Sequence, residues 1–246
     1  MLISDIYDLE VIKKALPEGA DAICIKETDS TNNMARELIS QGVPHGTVIL
    51  ADRQTAGRGR RGNCFYSPDG GIYMSVILNA ENIPYTVCAA SAVCRVLRSF
   101  GVDAGIKWVN DIFIDGKKVC GILCERIGDH VIVGIGINHS VEKFPPELET
   151  VAASLPIGVP NREKTVAAVL CELFNVLDNV DDAKAYYKEN MMLYGKKVNF
   201  DLNGAKKQGT VIGLGDNEEL LIKTANETVA ITSGMVTLCV QMNNKC

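Results

Sequence analysis

Residues 51–68, ADRQTAGRGRRGNCFYSP, concentrate arginine and glycine in one loop. The glycines match the dinucleotide fingerprint G-x-G-x-x-G, but the residues after them run through Pro68 into another apolar strand instead of a helix, which disfavours a Rossmann phosphate loop. A solvated basic turn stays open, although Arg58, Arg60 and Arg61 would repel one another there. A loop that closes over a phosphate-bearing ligand explains the arginines better, because arginine pairs with anionic oxygens and glycine permits close backbone approach.

Three further segments combine polar groups with an apolar context. KWVND at 107–111 offers a lysine, the single tryptophan and two polar side chains, while VGIGIN at 133–138 is a strand with glycines that permit close approach by a ligand. DSTN at 29–32 places hydroxyl and amide groups at a predicted helix N-terminus, where they can cap the helix or receive a polar ligand. Taken singly, the lysine at a sheet edge, the tryptophan in the core and the turn each have an ordinary structural explanation.

Composition excludes several classes of protein. The 246 residues are 47% hydrophobic and 22% charged with a net charge of −5, which argues against a dedicated nucleic-acid binder. The first ten residues contain acids where a signal peptide needs a basic end, and no apolar run reaches the length of a membrane span. The nine cysteines are odd in number and lack a CxxC motif, so we expect reduced thiols in a cytoplasmic protein. Metal binding by Cys120 and Cys124 is disfavoured.

Apolar periodicity predicts an α+β chain. Strand patterns cover 20–28, 46–53 and 71–78, and a strand meander covers 105–138. Helical patterns cover 29–42, 84–101, 161–180 and 181–195. From about residue 196 the pattern changes to short alternating strands with turn signals, which indicates a small antiparallel barrel.

The motifs together resemble the biotin protein ligases, also called biotin–acetyl-CoA-carboxylase ligases. ETDSTN, QTAGRGRRG, KWVNDIFIDGKKVCGILCE and VGIGIN occur in the family's order, and the resemblance covers about residues 20–240. It implies a central mixed β-sheet with flanking helices on one side and a small C-terminal SH3-like barrel. The expected domains are a catalytic domain at 1–194 and the barrel at 195–246.

The resemblance also implies a two-step reaction with ATP, biotin and Mg²⁺. The biotin carboxylate would attack the α-phosphate of ATP to give biotinyl-5′-AMP and pyrophosphate. A lysine of a biotin carboxyl carrier domain would then attack the mixed anhydride and release AMP. Joining two anions requires positive charge where charge accumulates, and loop closure would keep water from the anhydride.

The family's site residues carry over position by position. The expected catalytic residues are Lys107, Arg58 and Arg60. The expected biotin-binding residues are Ser30, Thr31, Asn32, Gln54, Arg58, Gly59, Arg60 and Lys107. The expected nucleotide-binding residues are Arg58, Arg60, Phe65, Trp108, Asn110, Lys118 and Asn138. No protein ligand to a metal is assigned.

The sequence departs from the family pattern at two positions. Val109 replaces the usual proline of KWPND, and Phe65 stands where many members have a tryptophan over the adenylate. The motifs begin near residue 27, so we expect no DNA-binding repressor domain. The expected partner is a carboxyl carrier domain, with no DNA or membrane contact, and the chain should be a monomer or homodimer. A lipoate ligase or octanoyltransferase and a non-catalytic sensor are the rival functions.

Overall fold

The computed structural model describes residues 7–202, 204–215, 218–232 and 236–238. The helices are α1 (Leu9–Lys13), α2 (Thr31–Ser40), α3 (Tyr85–Ser99), α4 (Arg162–Asp178) and α5 (Val180–Glu189). The strands are β1 (Ala22–Thr28), β2 (Val48–Gln54), β3 (Ile72–Asn79), β4 (Gly105–Lys107), β5 (Asp111–Ile114), β6 (Lys117–Ile127), β7 (His130–Ile137), β8 (Lys197–Leu202), β9 (Ala205–Leu214), β10 (Leu220–Lys223), β11 (Thr228–Ile231) and β12 (Val236–Leu238). One turn of 3₁₀ helix covers Arg60–Gly62.

A seven-stranded mixed sheet forms the centre of the molecule, with strand order β1-β2-β3-β7-β6-β5-β4. The β1–β2 pair is parallel, and the other neighbouring pairs are antiparallel. The parallel pair is possible because α2 crosses between β1 and β2. The predicted strands and helices are therefore confirmed in type and order, and the α+β fold with a central mixed sheet is confirmed.

Helices cover both faces of the sheet. Leu50 packs in the main core with α3 and α4, whereas the neighbouring Ile49 packs with Ala35 of α2 and with Ile77. Adjacent strand residues point to opposite faces, so α2 lies on the face away from α3 and α4. The expectation of helices on one side is wrong for α2. This difference matters because the α2 face is the one that carries the candidate site.

The C-terminal strands form a second, five-stranded antiparallel sheet with the order β11-β10-β9-β8-β12. This confirms the small antiparallel unit, although within the described ranges no pairing of β11 with β12 closes it into a barrel. Its buried residues Val198, Phe200 and Val211 belong to the same apolar core as the central sheet. The division into domains at 1–194 and 195–246 stays a prediction.

None of the helices in the described ranges has the length and apolar composition that crossing a membrane requires. The seven described cysteines carry no disulfide. Burial raises the pKa of the Cys124 thiol to about 12, so it stays protonated at neutral pH. In its protonated form the thiol is a poor nucleophile.

Candidate active site

Glycines of two neighbouring strands form a floor without side chains on the α2 face of the sheet. Gly121 of β6 pairs directly with Gly136 of β7, and Gly134 lies two residues before Gly136 on the same face. A Cβ atom on Gly134 would overlap the Asn32 amide, and one on Gly136 would lie 2.6 Å from the Phe65 ring. The glycines therefore leave space that side chains from α2 and from the arginine loop now approach.

This floor belongs to a narrow cleft. The residues that line the narrow cleft are Ser30, Thr31, Asn32, Gln54, Arg58, Phe65, Tyr73, Met74, Gly121, Leu123, Gly134, Ile135 and Gly136. Its free volume is about 30 Å³, whereas ligand pockets usually measure roughly 300–1,000 Å³. Five of the eight residues predicted to bind biotin come together here.

The start of α2 contributes three of these side chains. Ser30 is the N-cap residue, but its side chain makes no capping hydrogen bond, and it lines the cleft instead. Thr31 and Asn32 follow in the first turn and are almost completely buried, at 4% exposure each. The DSTN segment thus serves the cleft as well as the helix.

A continuous hydrogen-bond network fixes the polar wall of the narrow cleft. Gln54 Oε1 accepts from the Thr31 backbone N–H at 2.9 Å, and Gln54 Nε2 donates to Ser67 Oγ at 2.8 Å. Ser75 Oγ lies 2.8 Å from Thr31 Oγ1 and 2.6 Å from Asn32 Oδ1. Buried polar groups that are paired in this way are rigid, so the wall is set before a ligand arrives.

Glu125 of β6 lies at the edge of this network. Its Oε2 accepts from Asn32 Nδ2 at 2.8 Å, while its Oε1 lies 3.2 Å from Nη2 of Arg36 and 3.2 Å from Nη2 of Arg58. Arg58 Nη1 also donates to Asn33 Oδ1 at 3.0 Å. The first arginine of the loop is therefore held at the mouth of the narrow cleft.

The arginine loop is a small ordered hairpin. The Gly59 N–H donates to the Asn63 carbonyl at 2.7 Å, and the Phe65 N–H donates to the Gly57 carbonyl at 2.9 Å. A Cβ on Gly57 would overlap the Phe65 carbonyl, so only glycine permits this approach. Arg60 lies in the 3₁₀ turn, half-buried, and Gly59 and Arg60 lie outside the narrow lining.

A second, wide cleft of about 210 Å³ lies on the other side of Phe65. The residues that line the wide cleft are Cys64, Phe65, Tyr66, Phe113, Lys118, Asn138, Phe144, Leu148, Val151 and Ala152. Lys118 Nζ lies 2.7 Å from Asp111 Oδ1 and 5.6 Å from the centroid of the Phe65 ring. Three residues predicted to bind the nucleotide, Phe65, Lys118 and Asn138, thus meet here.

The KWVND segment lies beside the wide cleft. Lys107 Nζ is 4.7 Å from the centroid of the Phe113 ring, which lines that cleft. In the backbone register of the β4–β5 pair, Lys107 lies opposite Asp111. Asn110 Nδ2 donates to the Ile122 carbonyl at 2.6 Å and so fixes the turn. The turn forms with Val109 in place of proline, through a cis Trp108–Val109 peptide.

Trp108 lies away from both clefts. It is buried at 7% exposure, and its Nε1 donates to the Glu218 carbonyl at 3.1 Å. Its observed contacts connect the KWVND turn to the C-terminal sheet. Its predicted contact with the nucleotide stays a prediction.

Four residues of the site were missed by reasoning from the sequence: Ser67, Tyr73, Ser75 and Glu125. Ser75 had a visible signal, because it is one polar residue within the buried strand IYMSVILN of β3. Tyr73 packs edge to face on Phe65, and its hydroxyl donates to the Pro68 carbonyl at 2.6 Å. Glu125 ends the motif KWVNDIFIDGKKVCGILCE but was given no role, because an acid near the end of a strand is usually solvated.

Within the described part of the chain, no group of three or more His, Cys, Asp or Glu side chains is placed to hold a metal ion. The carboxylate of Asp111 is paired with Lys118, which lines the wide cleft. A divalent cation here would depend mainly on ligands that a substrate brings, as Mg²⁺ often does.

Comparison with known proteins agrees with this geometry. The model of the biotin/lipoate A/B protein ligase family matches residues 24–138. A biotin–acetyl-CoA-carboxylase ligase from Paracoccus denitrificans is 35% identical over 184 residues, covering 70% of this chain and 74% of the relative. The biotin protein ligase from Aquifex aeolicus, solved in complex with biotin and ATP, superposes with a TM-score of 0.78 and 31% identity, covering 89% of this chain and 98% of that one. The fold is thus that of the biotin and lipoate ligases, and the chain belongs to the biotin protein ligase family.

The match to a larger relative is partial. The bifunctional ligase/repressor BirA of Bacillus spizizenii is 43% identical over 141 residues, which cover 51% of this chain and 43% of the relative. The aligned region thus spans less than half the length of that protein. The expected absence of a repressor domain stays a prediction.

Proposed function

We propose that this chain activates biotin with ATP as biotinyl-5′-AMP and transfers the biotinyl group to a lysine of a biotin carboxyl carrier domain. Family membership supports the reaction class. The glycine floor beneath the Thr31, Asn32 and Gln54 wall is the observation that carries the proposal. It offers a compact bicyclic ring both apolar contact and fixed hydrogen-bonding groups.

The two clefts divide the substrates between them. The narrow cleft would take the biotin ring, with Ser30, Thr31 and Asn32 meeting the ureido group. The wide cleft would take the nucleotide, because it combines aromatic and aliphatic walls with Lys118. Phe65 lines both clefts and would therefore lie beside the bond that forms between biotin and AMP.

Positive charge surrounds this junction. The carboxylate of biotin and the α-phosphate of ATP repel each other, so the step needs cations where the new bond forms. Lys107 contacts Phe113 beside the wide cleft, Arg58 lies at the mouth of the narrow cleft, and Arg60 lies in the loop that would close over both substrates. We assign Lys107 to bridge the carboxylate and the α-phosphate and the loop arginines to hold the phosphate.

The loop must move for biotin to enter. A free volume of about 30 Å³ is too small for a bicyclic ligand, and the Phe65 ring lies directly on Gly136. We infer that the hairpin around Gly57–Phe65 shifts outward to admit biotin and then closes over the adenylate. Closure would keep water from the anhydride.

Mg²⁺ would enter with ATP and neutralise phosphate charge when bound. Its ligands would be phosphate oxygens with at most a carboxylate from the protein. The site calls for no covalent intermediate on the chain, since the carrier lysine attacks the anhydride directly. We place the reaction in the cytoplasm, where the carrier domains of carboxylases and reduced thiols would both be found.

Pyrophosphate release tests the proposed activation step. The chain is incubated with ATP, Mg²⁺ and either biotin, lipoate or octanoate. We expect pyrophosphate release in the reaction with biotin and none in the reactions with lipoate or octanoate. Release with lipoate or octanoate would instead favour the related acyl ligases, and no release with any acid would favour a binding protein.

A further inference from the structure

Glu125 joins the two sides of the narrow cleft through one carboxylate. Oε2 accepts from the Asn32 amide and, at 3.4 Å, from Arg58 Nη1, while Oε1 lies 3.2 Å from Arg58 Nη2. We propose that Glu125 is a positioning residue for biotin activation, which orients the Asn32 amide and holds Arg58 at the place where negative charge arrives. This inference rests on the proposed function and adds a residue to it.

The orientation of the Asn32 amide follows from its partners. Asn32 Nδ2 donates to Glu125 Oε2 at 2.8 Å, and Asn32 Oδ1 accepts from Ser75 Oγ at 2.6 Å. A carboxylate only accepts hydrogen bonds, so it fixes which end of the amide carries the donors. The reversed amide would place its oxygen against the Glu125 carboxylate, which is unfavourable at 4% exposure of Asn32.

Glu125 also determines where the Arg58 guanidinium lies. The Glu125 side chain is only 18% exposed, whereas Arg58 is 41% exposed and comes from a glycine-rich loop. The more rigid partner is thus the carboxylate on β6, and the mobile partner is the arginine. Holding the cation in place before the substrate binds removes a reorganisation cost from the reaction step.

Glutamine at position 125 separates these two roles. Its carbonyl oxygen can still accept from Asn32 Nδ2, so the amide keeps its orientation. Its NH₂ group would then face Nη2 of Arg58 and Nη2 of Arg36 and could not accept from them, so Arg58 would lose the ion pair and keep only the longer 3.4 Å contact with the carbonyl oxygen. Alanine at this position removes both roles.

The test measures biotin affinity by titration and the rate of biotin-dependent pyrophosphate release in Glu125→Gln, Glu125→Ala and the wild type. For Glu125→Gln we expect a biotin Kd within about twofold of wild type and a kcat lower by about tenfold, as for a misplaced catalytic cation. For Glu125→Ala we expect both quantities to worsen by about tenfold. An unchanged biotin Kd shows that Glu125→Gln is folded.

The matched control is Arg36→Ala, which removes the other arginine on Glu125 from the exposed side of α2. We expect wild-type rates for this variant. The inference is overturned if Glu125→Gln releases pyrophosphate at the wild-type rate, or if Arg36→Ala lowers the rate as much as Glu125→Gln does. A wild type that releases no pyrophosphate with biotin overturns the proposed function itself, and the inference with it.

Discussion

The two clefts on either side of Phe65 are built differently. The narrow cleft has a glycine floor and a polar wall in which Gln54, Thr31, Ser75 and Asn32 are bonded to one another. The wide cleft has aromatic and aliphatic walls and a half-buried lysine–aspartate pair. Hydrogen bonds between buried groups fix the shape of the narrow cleft, whereas apolar side chains and one ion pair form the walls of the wide cleft.

This difference indicates how specificity is divided. A buried polar wall rejects a ligand that leaves its donors or acceptors unpaired, which gives strong discrimination. Apolar walls with one cation tolerate more variation in the ligand, because they bind it through buried apolar surface and charge and not through directional hydrogen bonds. We therefore expect biotin to be selected in the narrow cleft and the nucleotide to be held less strictly in the wide one. Four substitutions or conditions test this contrast, in order of decreasing effect.

Gly134→Ala should abolish the narrow cleft. The new Cβ would overlap the Asn32 amide, and β7 cannot move because it is hydrogen-bonded on both sides. We expect biotin affinity to fall about 100-fold, equivalent to ~3 kcal/mol of overpacking, as measured by calorimetry. Gly121→Ala is the control, since its Cβ would meet the flexible end of Lys118 and the edge of Phe65 at 3.0 Å. Equal losses of biotin affinity in the two variants would contradict a specific role for Asn32 in biotin binding.

Ser75→Ala should weaken biotin binding without closing the cleft. The substitution removes the donor to the buried Asn32 Oδ1 and leaves Thr31 Oγ1 with only its 3.2 Å hydrogen bond to Gln54, which costs ~2 kcal/mol or roughly 30-fold in affinity. Ser91→Ala is a matched control, because Ser91 is equally buried and donates to the Ala183 carbonyl at 2.8 Å in the helical layer. Both variants should unfold at lower temperature, but only Ser75→Ala should bind biotin less well. A normal biotin Kd for Ser75→Ala would contradict the role of the network.

Lys118→Ala should weaken nucleotide binding without changing biotin binding. Loss of one charge-assisted contact to phosphate should raise the KM for ATP by about tenfold, with the biotin Kd unchanged. Lys207→Ala removes a comparable half-exposed ion pair on the C-terminal sheet and should change neither value. If Lys118→Ala weakened biotin binding as well, the two clefts would not be separate sites.

Mild acid should destabilise the border of the wide cleft. His139 follows Asn138, and burial lowers its pKa from the ordinary value of 6.5. The unfolded state therefore binds the proton more readily, so stability is complete above about pH 6.5 and decreases as the pH falls below it. The unfolding midpoint should decrease slightly from pH 7 to pH 6 in the wild type and less in His139→Gln. The same decrease of the unfolding midpoint in the wild type and in His139→Gln would show that other titrating groups cause it.

The sequence predicted the wall residues better than their partners. Ser30, Thr31 and Asn32 stand in a motif whose residue types already suggested ligand contact, Gln54 carried over from the family resemblance, and the structure brings the four together. Ser75 and Glu125 come from strands at the centre of the sheet, and strand register decides that they meet α2. Register between distant strands is not visible in a single motif, so the contacts of these two residues with α2 could not be predicted before the fold was known.

Other limits of the sequence have equally specific causes. Ile49 and Leu50 of β2 point to opposite faces of the sheet, and α2 packs on the face of Ile49. Because both residues are apolar, the sequence of β2 does not indicate which face α2 covers. Trp108 was expected at the nucleotide from the family resemblance, and that contact stays a prediction; its indole N–H donates to the Glu218 carbonyl between β9 and β10, a contact that the sequence could not indicate. An apolar strand or a tryptophan has several equivalent burial sites, and the tertiary contacts choose among them.

Transfer of biotin to a carrier domain tests the central claim most directly. The purified chain, with ATP, Mg²⁺ and biotin, is mixed with an apo biotin carboxyl carrier domain, and the acceptor is weighed by intact mass spectrometry beside a Lys107→Ala reaction. We predict an acceptor heavier by one biotinyl group with the wild type and an unchanged acceptor with Lys107→Ala. An unmodified acceptor together with no biotin-dependent pyrophosphate release from the wild type would contradict the account.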